Sequence, residues 1–145
     1  MVIYLDTSAF LKLYVCEIGS ETVQAFVTDQ DDPLPVWELV RAEMINAFHL
    51  KVFWDEMEVM QARQLIGLFD DRIRRGQYFT PEIDRDRLMT DFRRLSSYTP
   101  ETGCRTMDVY HVACALQVSP EVFVSFDDRQ RQLAERVGLT VLPKL

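Results

Sequence analysis

The sequence predicts an α/β fold: a short, mostly parallel β-sheet flanked by helices, with a helical hairpin inserted in its middle. Three observations lead there. Short apolar, β-favouring runs at residues 2–5, 121–126 and 140–142 are separated by stretches of helical periodicity, the pattern of strands joined by helical crossovers. Between 37 and 75 the periodicity is helical almost throughout, enough for two long helices packed as a hairpin. A length of 145 residues with 48% hydrophobic content fits one domain with one core, taken here as residues 1–145.

Val2-Ile3-Tyr4-Leu5 reads as a buried strand, and Asp6-Thr7-Ser8 supplies three residues of N-cap type before a helix beginning at Ala9. Gly19-Ser20-Glu21 opens a second helical segment to about Thr28, stopped by the polar cluster from Asp29 to Pro33. Leu34-Pro35-Val36 is a brief extended piece. Helices then span about 37–53 and 55–75, the second ending on Gly76, because glycine takes the left-handed conformation that closes a helix. Residues 77–80 form a connector or weak strand. Residues 84–97 make an amphipathic helix with Leu88, Phe92 and Leu95 on one face, and 99–103 a loop. The helix over 106–118 turns Val109, Val112, Ala113 and Leu116 inward. Strand 121–126 leads to Asp127, a helix to about Val137, Gly138 as its stop, and a last strand at 140–142.

Composition excludes several classes. No apolar run approaches the roughly 18 residues of a membrane-spanning helix, and the first residues do not form a secretory leader, so a cytoplasmic protein without membrane contact is expected. Cys16, Cys104 and Cys114 are odd in number without CxxC spacing, and read as small buried hydrophobes. A net charge of −7 argues against a protein that coats nucleic acid through a broad basic surface. The cations are nonetheless biased: 13 are Arg and three Lys, and seven of the Arg lie between 72 and 94. That stretch suits either bidentate phosphate contact or ion pairing with Asp70, Asp71, Asp84, Asp86 and Asp91.

Four acidic positions carry the chemistry. Asp6 and Asp127 each directly follow an apolar strand, where open α/β sheets bind ligands, and each also precedes a helix it would cap. Glu43 and Asp108 lie inside helices. Leu39, Val40 and Ala47 flank Glu43 at helical spacing, while His111, Val112 and Ala115 follow Asp108, so both carboxylates border buried faces. An ionised carboxyl there needs a cation, either an arginine such as Arg41 or Arg105 or a metal. Four carboxylates gathered at one end of a sheet repel one another unless a cation sits among them, and an all-oxygen set suits Mg2+ or Mn2+. Such a site can activate a water and stabilise charge on a phosphodiester. His111 reads as a neutral residue hydrogen-bonded near Asp108, Asn46 as structural or a helper to Glu43, and Asp128 as a bystander to Asp127.

These residues fall within an ordered set of short motifs: Ile3-Tyr4-Leu5-Asp6-Thr7-Ser8, Glu43-Met44-Ile45-Asn46-Ala47-Phe48, Asp108-Val109-Tyr110-His111-Val112-Ala113-Cys114-Ala115 and Phe123-Val124-Ser125-Phe126-Asp127. In order and separation the set resembles the PIN-domain ribonucleases, in particular the VapC-type toxins of toxin–antitoxin pairs. The resemblance covers essentially the whole chain and implies a three-layer PIN-like fold. It implies that Asp6, Glu43, Asp108 and Asp127 are the catalytic, metal-holding set. Ser125 would stand behind them as a hydrogen-bonding group, and Ser8 would orient a ligand or water. It also implies a Mg2+- or Mn2+-dependent endoribonuclease acting on structured RNA such as tRNA or rRNA, restrained by a small antitoxin and assembled as a homodimer. Two features depart from the family's pattern. Trp37 stands where many relatives carry a small polar residue, and the Arg-rich stretch from 72 to 94 matches no motif. Alternative readings are a PIN-type nuclease of RNA processing or of DNA, and a catalytically silent PIN-like module that binds RNA or protein. A phosphotransferase built on a strand-end Asp is set aside, because it expects Asp at position 8, where this chain has Ser8.

Overall fold

In a computed structural model describing residues 1–145, the first apolar run becomes β1 (Ile3–Leu5). All three of its residues are buried, so both faces of the strand are covered, as expected for a strand inside a parallel sheet. β1 pairs in parallel with β4 (Val122–Val124), Leu5 opposite Val124, and β4 pairs in parallel with β5 (Val141–Leu142). A second parallel ladder joins β2 (Leu34–Pro35) to β3 (Tyr78–Phe79), and β2 runs beside β1. Every pairing is parallel, in two small sheets.

The helices are α1 (Thr7–Leu11), α2 (Ser20–Thr28), α3 (Glu38–Phe53), α4 (Val59–Arg74), α5 (Arg85–Ser96), α6 (Thr99–Thr102), α7 (Thr106–Val118) and α8 (Asp128–Arg136). α3 and α4 pack together as the expected hairpin. α7 lies between α5 and α8, and its residues 111–115 are all buried, so it is covered nearly all round. No helix is long and apolar enough to cross a membrane.

Three expectations are corrected. The helix expected from 55 begins at 59, because Asp55 (φ 56°) terminates α3 in the left-handed conformation. The Glu56 N–H donates to the Lys51 carbonyl (2.9 Å) and the Asp55 N–H to the Val52 carbonyl (3.1 Å), the paired bonds of a Schellman ending. Gly76 closes α4 in the same way, as predicted. The loop expected at 99–103 contains a turn of helix, α6, because Pro100 is tolerated in a first helical turn and Gly103 (φ 69°) ends it. Cys16 is exposed, whereas Cys104 and Cys114 are buried.

In and against the core of 29 buried hydrophobic residues, an aromatic group links the first helix and the turn after it to the hairpin. Phe10 meets Phe69 (5.9 Å, 89°) and Tyr78 (5.0 Å, 82°) edge-on, and Tyr14 meets Phe48 (5.7 Å, 72°) and Phe69 (5.9 Å, 79°). Edge-to-face pairs are favoured by the ring quadrupole beyond their area burial. The Arg-rich stretch is largely absorbed by ion pairs: Arg74 and Arg75 with Asp71, Arg87 and Arg94 with Asp91, and Arg85 with Glu38. Because Phe69 touches three other rings of this group, Phe69→Ala is expected to cost about 3–5 kcal/mol of stability. Urea unfolding measures it, and a loss below about 1 kcal/mol would contradict the packing described.

Candidate active site

β1 and β4 end side by side, and this fixes the first two acidic residues. The Asp6 N–H extends the ladder to the Val124 carbonyl (3.2 Å). Its Oδ1 then caps α1 by accepting from the Ala9 N–H (2.7 Å). Asp127 caps α8 likewise, with Oδ1 accepting from the Arg129 (2.9 Å) and Gln130 (3.0 Å) N–H groups and Oδ2 left without a protein partner. Both residues are helix caps, and the two caps stand at the edge of one cavity. Ser125, fully buried, lies between them: its hydroxyl donates to Asp6 Oδ2 (3.1 Å) and accepts from the Asp127 N–H (3.2 Å). The Ser8 hydroxyl donates to Asp6 (3.0 and 3.1 Å to its two oxygens), so it serves that carboxylate directly.

Glu43 comes from the middle of α3 and Asp108 from the first turn of α7. Asp108 Oδ2 reaches back to the backbone N–H (3.3 Å) and Nε–H (3.4 Å) of Arg105, leaving Oδ1 free. Arg41, the other candidate cation, pairs with Asp70 instead. Glu43 Oε1 accepts from the Thr7 hydroxyl (2.8 Å) and lies 2.6 Å from His111 Nε2, while Oε2 has no protein partner. His111 therefore departs from the expectation that placed it beside Asp108. Its side chain crosses from α7 to α3, and its Nδ1 lies 2.9 Å from the Tyr4 hydroxyl.

All four carboxylates line one open cavity of about 290 Å³, together with Thr7, Ser8, His111 and Arg105. No three acidic, His or Cys side chains stand close enough together to enclose an ion directly. Asn46 and Asp128 are exposed and lie outside the lining. A larger groove of about 430 Å³, lined mainly by apolar residues including Leu39, Leu88 and Met107, contains only one acidic residue, Glu38.

The cavity treats its carboxyls unequally. Burial raises Asp6 above the ordinary aspartate value, although a protonated His111 nearby and hydrogen bonds from Ala9, Ser8 and Ser125 oppose it. Burial, the largest single influence, also pushes Glu43 up. There the hydrogen bond from His111, its charge whenever the ring is protonated, and the Thr7 hydroxyl outweigh it and hold the carboxyl below its usual value.

Several supporting residues escaped sequence reasoning. Thr7 reads as one of three cap-type residues, and nothing local pairs it with a glutamate 36 positions away. Gln130, fully buried, donates from Nε2 to the Asp108 carbonyl (3.2 Å), tying α8 to α7. Arg131 fastens the back of the site by donating to the Ser125 carbonyl (2.6 Å) and the Pro143 carbonyl (2.5 Å). A polar residue interrupting an otherwise inward face is the only sequence signal for these two.

Parallel strands ending in a cluster of carboxylates define an α/β domain with an acidic pocket at its strand ends. The chain belongs to the PIN domain family, whose model matches residues 3–136. Solved structures of similar fold include VapC20 from Mycobacterium tuberculosis, described as a sarcin-ricin loop cleaving toxin (13% identity, 95% of this chain and 96% of that one, TM-score 0.68). Others are FitAcB from Neisseria gonorrhoeae (17%, 97% and 96%, 0.64) and VapBC-1 from nontypeable Haemophilus influenzae (14%, 98% and 97%, 0.60). A comparison with curated proteins finds no match.

A carboxyl whose value is raised in the folded state stabilises the fold below its unfolded value, and that contribution is lost as pH rises through the raised one. At neutral pH an ionised Asp6 therefore works against the fold. Asparagine keeps an acceptor for the Ala9 N–H and removes the charge. In metal-free buffer at neutral pH, Asp6→Asn is expected to unfold at or above the wild-type temperature, followed by circular dichroism. A clearly lower midpoint would contradict this account of the site.

Proposed function

We propose that this chain, acting as one PIN domain, is a divalent-metal-dependent endoribonuclease of the VapC type. In that role it is the toxin of a toxin–antitoxin pair, held inactive by a small antitoxin. The observation that carries the reading is the convergence of Asp6, Glu43, Asp108 and Asp127 on one cavity at the strand ends. Membership of the PIN domain family supports nuclease chemistry. Similar structures that are a sarcin-ricin loop cleaving toxin and a VapBC pair support an RNA substrate and an antitoxin partner. Assembly as a homodimer is proposed on the family resemblance.

The donor set fits Mg2+ or Mn2+ in kind, since every candidate ligand is a carboxylate oxygen and no thiol lines the cavity. It also fits in looseness. Mg2+ keeps several waters and is commonly held through one or two carboxylates, so three converging side chains are not required. Asp127 Oδ2, Asp108 Oδ1 and Glu43 Oε2 are the oxygens without protein partners, and they are the ones we assign to it, one or two in direct contact and the rest through its waters. When bound, the ion supplies positive charge that offsets the carboxylates and polarises a phosphodiester. Asp6, buried and fixed through both oxygens, shapes the floor of the site. Arg105 at the rim offers a guanidinium to a phosphate oxygen. Attack of water on phosphorus then breaks one P–O ester bond.

Cleavage of a structured RNA with added Mn2+ tests this, with wild type beside Asp6→Asn and Asp108→Asn. Loss of a group that merely orients a ligand commonly costs 10–100-fold, so each variant is expected to lose about 100-fold or more. Equal activity in all three would sink the nuclease assignment, and preference for single-stranded DNA over RNA would move it to a DNA nuclease. Binding of RNA without cutting, and without Mn2+ uptake in calorimetry, would instead support a catalytically silent module.

A further inference from the structure

Beneath the acidic cavity runs a chain of polar side chains that the proposed chemistry leaves unused. Tyr4 lies on β1 two residues before Asp6, which extends that ladder by one bond, so the two side chains leave the backbone on the same side. His111 follows Asp108 by three residues on α7, so these share a helix face. The rings of Tyr4, Trp37 and His111 are buried, with exposures of 0%, 7% and 3%. Trp37 Nε1–H donates to the Tyr4 oxygen (3.0 Å), Tyr4 lies 2.9 Å from His111 Nδ1, and His111 Nε2 lies 2.6 Å from Glu43 Oε1.

Trp37 fixes one end of this chain. An indole N–H can only donate, so the Tyr4 oxygen accepts from Trp37, and its own proton has two acceptors within reach, His111 Nδ1 and the Cys114 sulfur. With that proton on the His111 side, Nδ1 is an acceptor and the ring carries its own hydrogen on Nε2, facing Glu43. Tyr4 cannot swing away, because it stacks on Phe123 (5.4 Å, 8°) and meets His111 edge-on (6.0 Å, 74°). Both donors to Glu43, Thr7 and His111, converge on Oε1 and leave Oε2 free.

We propose that His111 is a positioning residue for Glu43: locked by Tyr4 and Trp37 from the core side, its Nε2–H holds Oε1 and aims Oε2 into the cavity. The inference rests on the reading of Glu43 as a metal ligand. It also gives Trp37 a role, as the donor that occupies one acceptor site of the Tyr4 oxygen.

Two measurements test it, the first without metal. The sequence holds only His49 and His111, so long-range 15N–1H spectra resolve both rings, and His49→Asn assigns them. His111 is expected as a single Nε2–H tautomer in the wild type and as a mixture in Tyr4→Phe. An Nδ1–H tautomer in the wild type overturns the proposal. The second is Mn2+ affinity by calorimetry. His111→Leu, which fills the space without donating, is expected to weaken binding about tenfold or more. His111→Gln, whose amide places an N–H where Nε2 stood, is expected to recover most of that loss, and His111→Asn, a bond shorter, is not. Equal affinity in Leu and wild type, or no gain from Gln over Leu, overturns the inference and leaves the nuclease reading standing. A wild type that takes up no Mn2+ overturns both. If His111→Leu does not fold, the tautomer and the Gln variant decide.

Discussion

Leu5 and Val124 stand opposite each other in a parallel ladder, and the Asp6 N–H carries that ladder one bond further to the Val124 carbonyl. This pairing joins chain segments about 120 residues apart, and the geometry of the site follows from it. It sets the end of β1 beside the end of β4, which brings Ser125 under Asp6 and turns Asp127 toward the same opening. α1 and α8 start from these strand ends, so the caps that begin the helices are also walls of the cavity. α3 and α7 then need only lean over that opening to deliver Glu43 and Asp108.

The site is a local conflict that the rest of the fold sustains. Asp6 is buried among hydroxyl and amide donors without a cation in contact, and burial works against its charge. Glu43, in the same cavity but half-buried, is held ionised by Thr7 and His111. Environments that push two neighbouring carboxyls in opposite directions are a mark of functional sites rather than of packing. The stability for this comes from elsewhere: the aromatic group around Phe69, the buried α7, and the fully covered β1.

What the sequence discloses and what it hides divide along one physical line. Periodicity and capping are local, so β1, the α3–α4 hairpin, the Gly76 ending and the buried strand before Asp127 are legible residue by residue. Asp55 shows the limit even there, since an aspartate in the left-handed conformation delays the start of α4 to Val59, where periodicity alone starts it at 55. The four acidic positions are readable individually as caps or as helix-face carboxylates, but their meeting depends on tertiary pairing. The same holds for His111. Its own helix suggests Asp108 as a partner, whereas its hydrogen bonds reach residues 68 and 107 positions away. The Arg-rich stretch is ambiguous in sequence because one guanidinium serves phosphate or carboxylate equally well, and in the fold its neighbours are mostly aspartates.

The division of labour within each carboxylate bears on how this domain can change over evolutionary time. Asp127 and Asp108 each use one oxygen to fasten a helix start, Glu43 uses one to tie α3 to Thr7 and His111, and all three leave the other to the opening. An amide keeps the fastening oxygen and discards the charge, and one nucleotide converts an aspartate codon to asparagine. Architecture and chemistry are thus separately heritable here. A descendant can lose its reaction in a single step, keep its shape, and go on being selected as something that only holds on.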